Sequence, residues 1–350
     1  MLNTQIKSFG AYIPAHKVSS AQLGEKHNLP ADWIEKHAGV EERPYFLTEN
    51  IIQAGAQAAR QAIKNAALEL SDIDCLISAS ASKMRPIPCN ASFYKRELNA
   101  THSMMCFDID STCLSFVNAL DVAACMIHSG KARHILIISS EQPSATLNWE
   151  QKESASLFGD CAVAAVVSQT PKGGSSKIIL SLFDTFSDGL PFATIEGGLL
   201  ERPAWNYSEN THQKYLFDMN GRSIYKIAAK TLPKMVQEAL KRAGMSMQDI
   251  QMVIPHQASL LSMKLMQSKL GIAPGKMMYI IQHQGNNVAA SIPLALKAAV
   301  DEGKVKRGDK IMLLGTSAGL SIGVMILEYY KDFIYGGAGA CCAADGPGFV

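Results

Sequence analysis

Residues Gln61 to Ala81 read QAIKNAALELSDIDCLISASA, and residues Glu238 to Ala258 read EALKRAGMSMQDIQMVIPHQA. The two align without a gap at an offset of 177. Identities fall at Ala62/Ala239, Lys64/Lys241, Ala66/Ala243, Asp72/Asp249, Ile73/Ile250, Ile77/Ile254 and Ala81/Ala258, seven of 21 positions. In each copy helical apolar periodicity ends near a small residue, an acidic turn follows, and a short apolar strand runs into a polar loop. A repeat of this kind decides the architecture of the whole chain, and it places His256 directly after a strand. Downstream, Phe107 to Lys131 lies against Ile280 to Lys304 at an offset of 173, which brings Gly130-Lys131 onto Gly303-Lys304 and Cys113 onto Asn286. Each unit has a fully apolar strand, Ile135 to Ser139 in one and Ile311 to Leu314 in the other. This predicts two packed halves with buried sheets and helices outside and between them, and a site at their junction.

The seam is placed at Pro171 to Ser176, where PKGGSS separates the apolar runs Ala162 to Val167 and Ile178 to Leu182. The expected division is a first half at 1–172, a second half at 173–330, and a tail at 331–350. The tail lacks periodicity and is expected to be a flexible or appended end.

A chain of 350 residues that is 47% hydrophobic and 18% charged can bury a large core. Its 33 Lys and Arg against 31 Asp and Glu give a formal charge of +2, too balanced to predict nucleic acid or an anionic membrane as partner. Met1 to Pro14 has no signal-peptide pattern, and no segment approaches the roughly 18 apolar residues of a membrane span. A cytoplasmic setting is the expectation. Eight cysteines, mostly in apolar segments and without a CxxC pair, fit free thiols better than disulfides or zinc ligands. Vicinal Cys341-Cys342 lacks a nearby histidine for a metal. No phosphate loop or dinucleotide fingerprint occurs, and the methionines of Met245 to Met266 read as core filler.

Three peptides that stop apolar runs remain: Ser111-Thr112-Cys113-Leu114, Pro255-His256-Gln257-Ala258 and Gln284-Gly285-Asn286-Asn287. Leu114, Phe116, Val117, Leu120, Val122, Ala123 and Met126 follow Cys113 at helical spacing, so the thiol stands at a helix start, where unpaired amides and the helix dipole favour thiolate. Taken singly, a cysteine is usually structural, a histidine usually a satisfied polar group and an Asn beside Gly usually a turn. Their joint placement in the repeat points to a thiol nucleophile with two hydrogen-bond donors, hence acyl transfer.

With Trp33-Ile34, Gly39-Val40-Glu41-Glu42-Arg43, Phe158-Gly159-Asp160, Asp188-Gly189, Asn220-Gly221, Tyr225-Lys226 and Gly315 to Gly323, these peptides resemble the β-ketoacyl carrier-protein synthase III branch of the thiolase superfamily over Met1 to about Tyr330. The resemblance implies an α/β class: a duplicated thiolase-like five-layer αβαβα fold, normally a homodimer. It implies decarboxylative condensation of an acyl primer, carried on Cys113, with a malonyl thioester. His256 and Asn286 would donate to the malonyl thioester oxygen, and the backbone amides of Cys113 and Ala318 would hold the oxyanion. Acyl-CoA or acyl carrier protein is the implied partner, with no metal or redox cofactor. Trp33, His37, Lys152, Gly221, Tyr225 and Ser259 match coenzyme A and substrate positions, and Ile87 matches the aromatic that closes a neighbour's acyl tunnel. His37, Lys152 and Leu261 stand where arginines are expected and Ser259 where asparagine is usual, which weakens the expected grip on the nucleotide; with Ile87 in place of the aromatic, a medium or branched acyl primer rather than acetyl is the expectation.

Alternatives in view are condensation of two acyl thioesters without malonyl, acyl transfer to an oxygen or nitrogen nucleophile, and a non-catalytic partner subunit. A cysteine peptidase shares the Cys, His, Asn order but does not account for the duplication.

Overall fold

The computed structural model describes residues 1–30 and 32–329. The expected tail at 331–350 lies outside the described residues. In chain order the principal elements of the first half are β1 (Thr4–Tyr12), α1 (Ile51–Asn65), β2 (Cys75–Ala79), β3 (Met105–Ile109), α2 (Ser115–His128), β4 (His134–Glu141) and β5 (Cys161–Gln169). The second half has β6 (Lys177–Thr185), α3 (Gly221–Ala243), β7 (Met252–Pro255), α4 (Leu260–Lys269), α5 (Ser291–Asp301), β8 (Lys310–Ser317) and β9 (Ser321–Glu328).

The first sheet runs β1-β5-β4-β2-β3 and the second β6-β9-β8-β7, the same order with the last place unfilled. A single parallel bridge, Val253 to Met277, stands there instead. In both sheets the first two pairings, counted from β1 and from β6, are antiparallel and the next is parallel. The chain crosses from one sheet to the other through Pro171 to Ser176, and Leu2 exchanges two 3.0 Å backbone bonds with Ile178 beside that crossing.

Burial on both strand faces explains the continuous apolar runs. In β5, Cys161, Val163, Ala165 and Val167 face one core while Ala162, Ala164 and Val166 face another; β8 divides likewise, Ile311 and Leu313 against Met312 and Leu314. The inner core lies between the sheets and holds α2 and α5; α1 covers the first sheet's outer face, and α3 covers that of the second. With the middle helices inside the inner core and one helix over each outer core, the layers number five, αβαβα, the thiolase arrangement. Small residues let α1 lie close: Asn50 caps it by accepting from Ile52 and Gln53 N–H, and a Cβ on Gly10 would meet Ala58 O at 2.1 Å.

Candidate active site

The Cys113 turn is built by local hydrogen bonds. Thr112–Leu114 form a 3-10 turn ahead of α2, with Thr112 held at φ +45°. Ser111 N–H donates to Ser115 Oγ (2.9 Å), which in turn donates to Thr112 O (2.7 Å). The second half repeats the device: Val288–Ala290 form a 3-10 turn, Val288 has φ +49°, and Asn287 N–H donates to Ser291 Oγ (3.1 Å). Ser115 thus corresponds to Ser291 and Thr112 to Val288, an offset of 176 rather than 173. The structural counterpart of Cys113 is Ala289, which corrects the sequence pairing of Cys113 with Asn286. The two helices end in register at Gly130 and Gly303, both with positive φ, but α2 has 14 residues and α5 only 11. The shorter helix leaves Asn286 outside the turn, in the loop before it.

That loop is held by the first half. Asn286 N–H donates to Leu157 O (2.8 Å) and Gly159 N–H to Asn286 O (3.2 Å), while Asn287 Nδ2 donates to Gly159 O (2.9 Å). The approach is so close that a Cβ on Gly159 would stand 2.2 Å from Gln284 O, and one on Gly285, at φ +67°, 2.7 Å from Leu157 O. Asp160, buried, accepts from Phe46 N–H (3.0 Å) and from the Ser144 backbone (3.1 Å) and hydroxyl (2.5 Å). The Phe-Gly-Asp peptide is therefore a seat for Asn286. Val288 N–H donates to Asn286 Oδ1 at 2.9 Å; this fixes the amide's orientation and leaves Nδ2, a donor, for a ligand.

His256 directly follows β7, its N–H donating to Leu314 O (2.7 Å). Gln257 anchors the turn: its Nε2 donates to Pro255 O (2.9 Å) and Met278 O (3.2 Å), and its Oε1 accepts from Ile280 N–H (2.9 Å). His256 Nδ1 is buried without a hydrogen-bond partner among the described residues. The turn carrying Cys113 is tied to the β8–β9 turn by Ser317, whose hydroxyl donates to Ser111 O (2.5 Å) and pairs with the Thr112 hydroxyl.

Cys113, His256, Asn286 and Ala318 line one cavity of about 800 Å³ between the halves. Burial, with the nearby Glu141 charge adding to it, pushes the Cys113 thiol up to about 12, against the backbone N–H groups of Cys113 and Ala318, which stabilise its anion. The expectation of a helix-favoured thiolate is corrected: the half-buried cysteine rests as a neutral thiol, because desolvation outweighs the amides. Burial also lowers His256 to about 4, so its ring is neutral at pH 7. Glu141, fully buried at the end of β4, accepts from Ala81 N–H (2.8 Å), Ser82 N–H (2.9 Å) and Ser82 Oγ (2.7 Å), and burial raises it to about 7.

His37, Gly221, Tyr225 and Ser259 also line the cavity. Trp33 does not, but its ring stacks on His37 at 4.3 Å, and His37 Nδ1 donates to Trp33 O (2.7 Å). Ser259 caps α4, accepting from Ser262 N–H. Lys152 is exposed and outside the lining, where its neighbour Glu153 stands. Leu261 is exposed, and Ile87, 84% exposed, lies away from this chain's own cavity. Sequence reasoning passed over Glu141 and Met277 and read Met263 and Met266 as core filler; all four line the cavity, as does Ser317 of the expected oxyanion loop. An acid closing the apolar strand HILIISSE was the signal available for Glu141; the methionines gave none, since a cavity wall and a core share one composition.

A duplicated αβαβα fold with a cysteine and two neutral donors in one interior cavity defines a thiolase-fold acyltransferase. The chain belongs to the 3-oxoacyl-[acyl-carrier-protein] synthase III family: residues 107–189 match the family's synthase III domain and residues 240–329 its C-terminal domain. It is 33% identical over 330 residues to a β-ketoacyl-[acyl-carrier-protein] synthase III of Clostridium perfringens, covering 94% of this chain and 100% of that one. The crystal structure of the Aquifex aeolicus synthase III is similar at 32% identity and a TM-score of 0.83, covering 93% of this chain and 100% of that one. The priming β-ketosynthase of the R1128 polyketide pathway is similar at 25% identity and a TM-score of 0.85, covering 93% and 96%.

Proposed function

We propose that this chain condenses an acyl thioester primer with a malonyl thioester, releasing carbon dioxide and forming a β-ketoacyl thioester. The observation that carries the reading is the set of groups in one cavity: the Cys113 thiol with two amide N–H groups directed at its sulfur, and two neutral donors, His256 and the oriented Nδ2 of Asn286. The primer is acyl-CoA or an acyl carrier protein. Cys113 Sγ forms a bond to the acyl carbonyl carbon, the carbon–sulfur bond to the carrier breaks, and the carrier leaves as its thiol. The Cys113 proton passes to the departing carrier sulfur as the bonds exchange, and neutral His256 in the same cavity is suited to relay it. The amides of Cys113 and Ala318 then face the oxyanion.

In the second half-reaction the malonyl carbon–carbon bond to the carboxylate breaks. The electron pair becomes an enolate whose oxygen faces His256 and Asn286, and its carbon attacks the acyl group and displaces Cys113. Negative charge grows on oxygen, so neutral donors serve and a carboxylate there would oppose it. This chemistry asks for no metal or redox group. Trp33, closed over by its own His37, and exposed Lys152 make a weak nucleotide grip, which favours a primer delivered by a carrier protein. Ile87 is assigned to a neighbouring subunit's site in a homodimer, and a cytoplasmic setting fits the reduced thiols. Intact-mass analysis after exposure to acyl-CoAs and acyl carrier proteins, followed by malonyl thioester, tests the scheme. An acyl adduct on Cys113 that malonyl thioester discharges with carbon dioxide release is the expected result; an adduct that malonyl leaves in place overturns it.

A further inference from the structure

The cavity has two chemically different ends. Towards the first half its wall is mixed, with Asn50, Ser82, Lys83, Glu141 and Gln142 standing beside Ile51, Ala81, Met84, Pro143 and Ala145. Towards the second half it finishes among Ile224, Ala228, Leu232, Met263, Met266 and Met277. Ala228, Leu232, Met263, Met266 and Met277 are buried to 7% exposure or less. Leu232, Met263, Met266 and Met277 belong to the outer core of the second sheet. They nevertheless leave open space. Ile224, Ala228 and Leu232 recur every fourth residue along one face of α3, Met263 and Met266 lie on one face of α4, and Met277 bridges to β7. The small Ala228 side chain between two larger ones keeps a gap that the helix face would otherwise fill.

We infer that this apolar end is a second acyl pocket, which receives an alkyl chain carried on C2 of the malonyl thioester. The inference rests on the proposed function, and three observations favour this occupant. The pocket walls continue directly from the donors: Ser259, three residues after His256, caps the helix that bears Met263 and Met266, and Met277 pairs with the strand that His256 directly follows. A chain entering here therefore belongs to the thioester those donors hold. Past the hydroxyls of Ser259 and Ser262, which pair with each other at 2.6 Å, these walls carry no polar side chain for the amides of a pantetheine arm, and an unpaired amide is costly there. Polar groups are found instead at the cavity's opening, in exposed His37, Glu153 and Gly221 with Tyr225 and Ser259. Finally, unbranched methionines adapt to chains of different length and lose little on repacking.

The step is the condensation already described with hydrogen on C2 replaced by alkyl. Carbon dioxide leaves, C2 bonds to the acyl carbon, the bond to Cys113 breaks with its electron pair going to the sulfur, which takes a proton from water, and the product is a 2-alkyl-3-oxoacyl thioester.

The test uses the full chain acetylated on Cys113, with malonyl-CoA and hexylmalonyl-CoA in competition. The ratio of alkylated to unalkylated product is expected to fall about tenfold or more in Ala228→Phe, and Met266→Ala is expected to shift the preferred alkyl group to a longer one. An unchanged ratio in Ala228→Phe overturns the pocket. A binding arm does not depend on turnover: 2-oxoalkyl thioethers of pantetheine are titrated calorimetrically into the acetylated chain. Affinity is expected to rise about fourfold per added methylene, with the gain lost in Ala228→Phe; affinity independent of chain length overturns the inference. Failure of the wild-type chain to release carbon dioxide from either malonyl thioester, with length-dependent binding intact, removes the decarboxylative reading and leaves the pocket standing. Near-ultraviolet circular dichroism identifies a misfolded Ala228→Phe, in which case the Met266→Ala shift decides.

Discussion

Two turns of equal shape, Thr112–Leu114 and Val288–Ala290, open the helices at the centre of the two halves. One carries Cys113; the other carries Ala289, fully buried. They share a strained first residue, the same serine cap and the same helix behind them. What differs is surroundings. Cys113 faces the cavity and the Ala318 amide, while Ala289 is packed in the core and the loop before it presents Asn286 instead. Duplication supplied two sites for helix entry, and a one-turn difference in helix length gave them different chemistry.

The largest expected effect breaks the comparison directly. Cys113→Ala abolishes the acyl adduct seen by intact mass, and adding Ala289→Cys to that variant does not restore it; an adduct on the new cysteine would show the two turns to be functionally equivalent. Next, Asn286→Asp lowers condensation by about 100- to 1000-fold while leaving acylation of Cys113 near its original rate. Val288 N–H retains one carboxylate oxygen and the other turns its charge on the enolate, so equal losses in both half-reactions would contradict the separate roles given to the turn and the loop. Gly159→Ala costs about 1–3 kcal/mol of stability, read as a lowered Tm, because its Cβ would collide with backbone that cannot move without displacing Asn286. An unchanged Tm would show the seat to be compliant.

The smallest effect concerns protons. Cys113 titrates at about 12, so its alkylation by iodoacetamide climbs with pH through pH 9 and reaches no plateau, at about tenfold per pH unit where no neighbour titrates. Glu141 ionises near 7; its growing charge opposes thiolate, so the climb is shallower between about pH 6 and 8. Glu141→Gln removes that flattening and raises the rate about threefold at pH 8. His256, at about 4, adds no inflection in this range. The linkage sign for stability follows the same shift: a carboxyl raised above its unfolded value contributes stability below about pH 4.5 that is lost as pH rises through about 7. The wild-type Tm therefore falls over that interval more than that of Glu141→Gln.

The repeat at offset 177 was readable because both copies fold alike. The 3-10 turns Leu70–Asp72 and Met247–Asp249 are capped by the same aspartate-to-backbone contact, and β2 and β7 follow each in register. The repeat at offset 173 was readable only at its far end. Its near end slips by three residues inside a helix, and apolar periodicity cannot reveal a missing turn when the flanking residues keep their pattern. Cys113, His256 and Asn286 could be chosen from the sequence because each sits on a polar peptide that interrupts an apolar run. The Cys113 thiol's protonation could not, because dipole and amides are local whereas desolvation is the sum of every element that closes over the sulfur.

Alternation of apolar strands and helices, repeated twice, is enough to require two double-sided sheets and a helical layer between them, since each strand must bury both faces. The sequence determined that much, together with the residue types able to do thioester chemistry. Only the packed molecule decided that Ala289 rather than Asn286 stands opposite Cys113, that Glu141 lies beside the thiol, and that methionines line open space. Those outcomes depend on how segments well separated in the chain pack against one another, and no local pattern encodes them.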